Sequence, residues 1–169
     1  DLNLKEETRL TTNGRFTSPL MLKGKDKFIA FKTIDGSTNI FLSDINHVDL
    51  QPITKIDDGT VLFSASYNPN ENLLYLDGND LHGRQLYSLS LDIYKFKKLT
   101  NSKWDSRNPN FKNGELCYAE DKTGIFNLVC EKLNVDINKK TEVKVLTNVY
   151  GGAFMPDVND NGEVLFSLY

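Results

Sequence analysis

The sequence predicts an all-β fold made of repeated four-stranded sheets, and three observations support this. An aliphatic residue followed by threonine recurs at Thr11, Thr54, Thr100 and Thr147, so the threonines are 43, 46 and 47 residues apart. Aromatic and β-branched residues fill short runs, and Gly, Asn, Asp and Pro fill the gaps between them. No window of about ten residues has a helical periodicity. A period of ~40–50 residues with this content is typical of a β-propeller, in which each repeat forms one blade.

The elements follow the same order within each repeat. After the threonine comes a loop that often carries a proline, as at Pro19, Pro109 and Pro156. A polar turn then leads into a second, apolar strand, such as residues 28–31. A turn rich in Gly and Asp precedes a third strand, because these residues tolerate the positive φ of tight hairpins. A fourth strand ends at the next threonine, which gives four short antiparallel strands per blade.

These landmarks divide the chain into three full units and two partial ones. The full units are residues 12–54, 55–100 and 101–147, residues 148–169 begin another blade, and residues 1–11 match the outer strand of a preceding blade. In the second unit we expect Pro69 to take the place of the loop proline. The chain then holds about three and a half to four blades. We expect an excerpt of a larger propeller, and the alternative is a closed four-bladed ring.

Composition and charge limit the partners that we expect. The 169 residues are 39% hydrophobic and 25% charged, with a formal net charge of −3. Binding of nucleic acid needs a dense basic patch, so we expect no nucleic-acid partner. No stretch reaches the ~18–20 apolar residues of a membrane helix, and we expect no membrane span within this chain. Because the chain begins within a repeat, we expect it to belong to a longer chain with other domains.

No catalytic or metal-binding motif is evident, and we expect a protein that is not an enzyme and has no cofactor. His47 and His82 both fall in turns between predicted strands, and Gly-x-Ser-x-Gly is absent. The run DVNDNG at 157–162 resembles the start of a calcium loop. The twelfth position of such a loop needs a bidentate acid, but here it is Leu168. We therefore interpret the run as the polar turn of a repeat and predict no metal site.

The only two cysteines, Cys117 and Cys130, lie in consecutive predicted strands on either side of a turn at 123–124. A symmetric hairpin pairs 122 with 125 and hence 117 with 130, at the ~4.5–5.5 Å Cα separation of antiparallel neighbours. That separation permits a disulfide, whereas a register slip of one residue would send one thiol to the other face. The sequence leaves two alternatives open, a disulfide or two reduced cysteines that fill the core.

The predicted loops contain the candidate binding residues. In a propeller, the links from each fourth strand to the next blade gather at one face, and the turns between second and third strands border that face. The residues that we select there are Arg15, Trp104, Arg107, Tyr150 and His82. Trp, Tyr and Arg are enriched in the hot spots of protein interfaces. The alternative is that the aromatic residues fill the gaps between neighbouring blades.

Two runs resemble a known repeat: NPNFKNGELCYAEDKTGIFNL (108–128) and LTNVYGGAFMP (146–156). They are similar to the repeat of the TolB-type, WD-repeat-like β-propeller family of bacterial envelope proteins, and the resemblance covers nearly the whole chain. It implies an exported protein, in the periplasm or at the cell surface. The function that it implies is a non-catalytic scaffold, which binds another protein of the cell envelope through its loop face. Two alternatives remain: the regulatory propeller of a larger serine peptidase, and a propeller that binds carbohydrate or another cell-surface ligand.

Overall fold

A computed structural model of the chain describes residues 9–11, 14–132 and 143–169. Within these ranges the chain forms fourteen β-strands and no helix. The strands make three four-stranded antiparallel sheets and one two-stranded sheet. The strand predicted in residues 1–11 lies largely outside the described ranges, and residues 9–11 belong to no strand. No helix in the described part of the chain has the length and apolar character needed to cross a bilayer.

Strands follow chain order within every sheet. The first sheet contains β1 (Thr17–Met21), β2 (Lys27–Ile34), β3 (Ser37–Asp44) and β4 (Gln51–Pro52). The second sheet contains β5 (Val61–Asn68), β6 (Leu73–Asp80), β7 (Gly83–Ser90) and β8 (Phe96–Lys98). The third sheet contains β9 (Ser106–Lys112), β10 (Glu115–Glu120), β11 (Asn127–Lys132) and β12 (Val143–Val145). The last sheet contains β13 (Ala153–Val158) and β14 (Val164–Leu168).

The first strands of neighbouring sheets lie side by side. Strand β5 contacts β1 and β9, and β13 contacts β9, so these four strands are the innermost strands of the propeller. The pairs Thr17–Phe31 and Phe41–Pro52 show that the first strand starts, and the fourth ends, beside the turn between β2 and β3. We call this end of the molecule the loop face. It comprises residues 14–16, the links 53–60, 99–105 and 146–152, and the turns 35–36, 81–82 and 121–126.

Neighbouring sheets are held together by side chains that alternate along each strand. In β6, Leu74 and Leu76 pack against the first sheet, whereas Tyr75 between them packs against the third sheet. The ring of Tyr75 stacks on Phe111 with 5.3 Å between centroids. Burial there raises the pKa of Tyr75 to about 12. The second sheet therefore contributes apolar side chains to two separate cores, one on each of its faces.

The recurring threonine ties the fourth strand to the third. Thr54 Oγ1 accepts a hydrogen bond from the backbone N–H of Ile40 at 2.9 Å and donates one to Asn39 Oδ1 at 3.0 Å. The same Asn39 oxygen also accepts from the backbone N–H of Ile56 at 2.7 Å. One hydroxyl and one amide therefore fix two strands and the link that follows them.

The third sheet repeats this arrangement. Thr147 Oγ1 accepts from the backbone N–H of Leu128 at 2.8 Å and donates to Asn127 Oδ1 at 3.0 Å. Asn127 Oδ1 also accepts from the backbone N–H of Val149 at 3.0 Å. The same hydrogen bonds recur where the pair of an aliphatic residue and threonine recurs. The repeated threonine therefore reflects a hydrogen-bond requirement and is not a coincidence of composition.

The second sheet uses glutamine in place of asparagine. Thr100 Oγ1 accepts from the backbone N–H of Leu86 at 2.9 Å. The side chain of Gln85 exchanges two hydrogen bonds, both of 3.1 Å, with the backbone of Ser102. We call the pairs Asn39–Thr54, Gln85–Thr100 and Asn127–Thr147 the clamps.

A β-bulge recurs in the inner strands close to the loop face. Ser18, Asn108 and Met155 have φ values of 49°, 55° and 53°, and each directly precedes a proline. The pairing register shifts at each of these positions. Bulges bend a strand and redirect its side chains, so the inner strands turn their first residues toward the loop face.

The second unit does not follow the prediction made for its proline. Pro69 does not occupy the bulge, because it lies in the turn directly after β5. In β5 the register shifts between Leu62 and Ser64, which places the extra residue at Phe63. A bulge requires one additional residue but not a proline, and the sequence pattern therefore assigned the nearest proline wrongly.

Cys117 and Cys130 face each other across β10 and β11, in the register that a symmetric hairpin predicts. Their sulfur atoms are bonded, and both residues are buried. The bond joins the two central strands of the third sheet.

We predict that Thr54→Val destabilises the protein by about 1–3 kcal/mol, because valine leaves the buried N–H of Ile40 without a partner and removes one of the hydrogen bonds of the Asn39 amide. Urea unfolding followed by circular dichroism measures this loss. The matched variant Thr54→Ser retains the hydroxyl, and we expect it to keep most of the stability. A larger loss in Thr54→Ser than in Thr54→Val would show that the methyl group, and not the hydroxyl, is responsible.

Candidate binding site on the loop face

The five predicted binding residues differ in accessibility. Tyr150 is 99% exposed. Arg15 and His82 are exposed as well, whereas Trp104 and Arg107 are half-buried. Tyr150 is therefore the predicted aromatic residue that is most available to a partner.

Trp104 is partly occupied by contacts within the propeller. Its Nε1–H donates to Glu120 Oε2 at 3.0 Å, and Lys122 Nζ lies 5.3 Å from the ring centroid. Its backbone oxygen accepts from Gln85 Nε2 at 3.3 Å. Phe154, an aromatic residue at the start of β13 beside the loop face, packs on Phe126 with 4.9 Å between centroids and fills space between the third and last sheets. Trp104 and Phe154 thus pack within the propeller, as expected if the aromatic residues fill gaps in the fold.

A pocket of about 500 Å³ opens on the loop face between β9 and β13. It is lined by Arg84, Arg107, Asn108, Gly151, Phe154, Met155 and Tyr169, and we call it the arginine pocket. Of the five predicted residues, Arg107 lines this pocket and Tyr150 directly precedes Gly151 in its wall. Arg15, Trp104 and His82 lie outside the lining. Two bulge residues, Asn108 and Met155, form part of the wall, so the redirected inner strands shape the pocket.

Arg84 is a site residue that the sequence analysis missed. It forms an ion pair with Asp77, with 2.6 Å between Nε and Oδ2, and its guanidinium carbon lies 4.1 Å from the centroid of Phe63. The clamp residue Gln85 pairs with Gly78 in β6, and Asp77 directly precedes Gly78. The residues at the equivalent position in the first and third sheets are Phe31 and Ala119. A carboxylate in this otherwise apolar column is the sequence signal that could have identified the pair.

Asp77 is completely buried and receives several hydrogen bonds. Its Oδ1 accepts from the backbone N–H and the hydroxyl of Ser64 in β5. Its Oδ2 accepts from Arg84 and from the backbone N–H of Asn108 at 3.2 Å, across the boundary to the third sheet. A buried charge is tolerated only when it is paired and hydrogen-bonded, and this one joins two sheets beneath the pocket.

Arg107 has a similar setting. Its Nη2 contacts Asp105 Oδ2 at 2.8 Å, and its guanidinium carbon lies 4.1 Å from the centroid of Phe126. Asp105 also accepts from the backbone N–H of Arg84 at 2.9 Å, which connects the two arginine positions. The Nε–H of Arg107 is buried and has no hydrogen-bond partner among the residues that the structure describes.

Both arginines lie on strands, and each guanidinium group is held by a carboxylate and an aromatic ring. Such groups bind planar anions well, because their N–H donors match the geometry of a carboxylate. In residues 9–11, 14–132 and 143–169, no cluster of three or more His, Cys, Asp and Glu side chains could hold a metal ion.

The fold is similar to that of several solved structures. TolB from Acinetobacter baumannii matches with a TM-score of 0.71 and 14% identity, over 90% of this chain and 37% of that one. A structure assigned to TolB from Agrobacterium tumefaciens matches with a TM-score of 0.67 and 16% identity, over 83% of this chain and 50% of that one. The chain has a TolB-like β-propeller fold. The all-β propeller that the sequence predicts is confirmed.

The likeness of this TolB-like propeller to known proteins is structural. A prolyl endopeptidase also matches, with a TM-score of 0.64 and 10% identity, over 86% of this chain and 24% of that one. No protein-family model matches the sequence, and no curated protein matches it. The chain spans half or less of the length of the TolB structures, so their full activities and partners do not transfer to it directly.

His82 is presented on the loop face by a hydrogen-bonded turn. Its backbone N–H donates to Asp80 Oδ1 at 2.7 Å, and Asp80 Oδ2 accepts from Tyr87 and Lys98. Burial raises the pKa of Asp80, but the hydrogen bonds from Lys98, His82 and Tyr87 outweigh it and hold that pKa below its usual value. The ionised carboxylate therefore stabilises this turn of the TolB-like propeller.

We predict that Asp80→Asn is less stable than the wild type at pH 7 by about 1–2 kcal/mol. Because the folded-state pKa of Asp80 is lowered, its contribution is complete above the unfolded value of ~3.9 and disappears as the pH falls through the folded value. The stabilities of the two proteins should therefore converge as the pH is lowered from 7 to about 2. Thermal unfolding at both pH values tests this, with the exposed Asp57→Asn as the control. A difference that stays constant between the two pH values would contradict the assignment.

Proposed function

We propose that this TolB-like propeller is a non-catalytic scaffold that binds another protein through its loop face. The observation that carries the proposal is the position of Tyr150, which is fully exposed beside the arginine pocket. An exposed tyrosine next to two ordered arginines has the composition of an interface hot spot. The partner that we propose is a protein of the bacterial cell envelope.

The rigidity of the scaffold supports a binding role. The links that carry the loop-face residues are tied by the clamps, as the hydrogen bonds of Ile56 and Val149 show. Preordered contact residues lose less conformational entropy on association, which favours affinity. Another exposed apolar residue on this face is Leu81.

We further propose that the protein is exported, to the periplasm or the cell surface. The bond between Cys117 and Cys130 supports this, because disulfides persist in oxidising compartments. The resemblance of the repeat to bacterial envelope propellers agrees with the same location.

A second candidate function is that of a regulatory propeller in a larger serine peptidase. The likeness to a prolyl endopeptidase, of which the chain covers 24%, favours this candidate. At 10% identity the likeness shows a common fold only. A Gly-x-Ser-x-Gly motif in sequence flanking this chain would favour the peptidase over the scaffold.

Site-specific photocrosslinking tests the proposed function. A photoreactive amino acid is placed at Tyr150 on the loop face or, as a matched control, at Ile93, which is 70% exposed in the turn between β7 and β8 at the opposite end. In bacterial cells we expect the probe at 150, but not that at 93, to form an adduct with one discrete envelope protein. We expect Tyr150→Ala to weaken binding of that protein about tenfold or more, and Ile93→Ala to leave it unchanged.

Identical adducts from both positions, or no adduct from either, would contradict a partner on the loop face. Loss of binding in Ile93→Ala but not in Tyr150→Ala would place the interface at the opposite end of the propeller.

A further inference from the structure

We propose that the arginine pocket binds a carboxylate of the partner protein, one that lies next to an apolar side chain. This inference rests on the proposed function, since it specifies what the loop face recognises. It is carried by the placement of two guanidinium groups and an apolar wall within one pocket of about 500 Å³.

The two guanidinium groups are ordered before any ligand binds. Arg84 is fixed between buried Asp77 and the ring of Phe63. Arg107 is fixed between Asp105 and the ring of Phe126. Each guanidinium has five N–H donors. Within the described residues, Arg84 uses Nε and Nη2 in its contacts with Asp77, and Arg107 uses Nη2 in its contact with Asp105. Donors therefore remain on both side chains for an incoming acceptor.

The buried Nε–H of Arg107 indicates what the incoming group must supply. This donor has no acceptor among the described residues, although the neighbouring Nη2 is paired with Asp105. Buried donors in native proteins nearly always have a partner, and this one would gain an acceptor if the Arg107 side chain turned toward a group bound in the pocket. A planar group with two oxygens, such as a carboxylate, can engage more than one N–H of a guanidinium at once.

The charge balance favours a carboxylate over a phosphate. The positive charges of Arg84 and Arg107 are matched by the negative charges of Asp77 and Asp105, so these four groups have no net charge together. A doubly charged phosphate would meet two carboxylates with little compensation. A singly charged carboxylate needs fewer donors and has the planar shape that guanidinium groups match.

The remaining wall of the pocket selects the neighbour of the carboxylate. Phe154, Met155 and Tyr169 contribute apolar surface, and the volume of about 500 Å³ exceeds what a carboxylate alone would fill. We therefore infer an apolar side chain adjacent to the acid. The acid can be an internal Glu or Asp of the partner or its carboxyl terminus, since the chemistry is the same in both.

Peptide titrations test the inference on the whole chain. The probes are acetyl-Gly-Leu-Glu-Leu-Gly-amide and the same peptide with Gln in place of Glu. Binding is measured by ¹⁵N NMR of the arginine Nε–H groups. We expect the Glu peptide to bind about tenfold more tightly and to shift the Nε–H of Arg107. Acetyl-Gly-Leu-Leu-Gly with a free or an amidated carboxyl terminus distinguishes a terminal carboxylate from an internal acid.

Arg107→Met is the test variant, because Arg84 neutralises buried Asp77 and its removal would also destabilise the fold. We expect Arg107→Met to abolish the preference for Glu over Gln, whereas the exposed arginine control Arg9→Met retains it. Equal binding of the Glu and Gln peptides, no binding at millimolar concentration, or a preference that persists in Arg107→Met would overturn the inference. In each case the photocrosslink at Tyr150 still tests the loop-face partner separately.

Discussion

The architecture depends on one recurring set of hydrogen bonds, those that the threonine hydroxyl and the side-chain amide of each clamp accept from backbone N–H groups. In the first sheet, Thr54 Oγ1 joins the third and fourth strands and orients Asn39, which in turn holds the backbone of Ile56. The link therefore leaves each sheet in a fixed direction, and the next inner strand starts from a fixed position. Because Arg107 follows Thr100 by only seven residues, the same constraint that builds the sheets also places the candidate site.

One wall of the candidate site, formed by Arg84, lies where the second sheet departs from the repeat. This sheet carries Gln85 in place of asparagine, has its bulge at Phe63 without a proline, and places Asp77 in a column that is apolar elsewhere. Departures from local rules in an otherwise regular sequence are expected at functional positions. Here the buried carboxylate has a structural consequence, because it orients Arg84 and accepts a hydrogen bond from Asn108 in the next sheet.

The sequence predicts the fold because a period of about 45 residues and short strands leave few alternatives to a propeller. The register of Cys117 and Cys130 is also predictable, since it follows from the turn between them. The arginine pocket is not predictable in this way, because it depends on contacts between sheets. The hydrogen bond between Asn108 and Asp77, for example, joins residues that are 31 positions apart and belong to different sheets. Repeat alignment also misplaced Pro69, since it aligns residue types and a bulge is a feature of the backbone.

Residue-resolved hydrogen exchange measured by NMR tests the central role of the clamps most directly. The backbone amides of Ile56 and Val149 lie in loop-face links, yet each donates to a clamp asparagine. The account predicts that these two amides exchange as slowly as amides within the central strands, because they open only when a sheet opens. Exchange as fast as that of their exposed neighbours Lys55 and Tyr150 would show that the links are not held by the clamps.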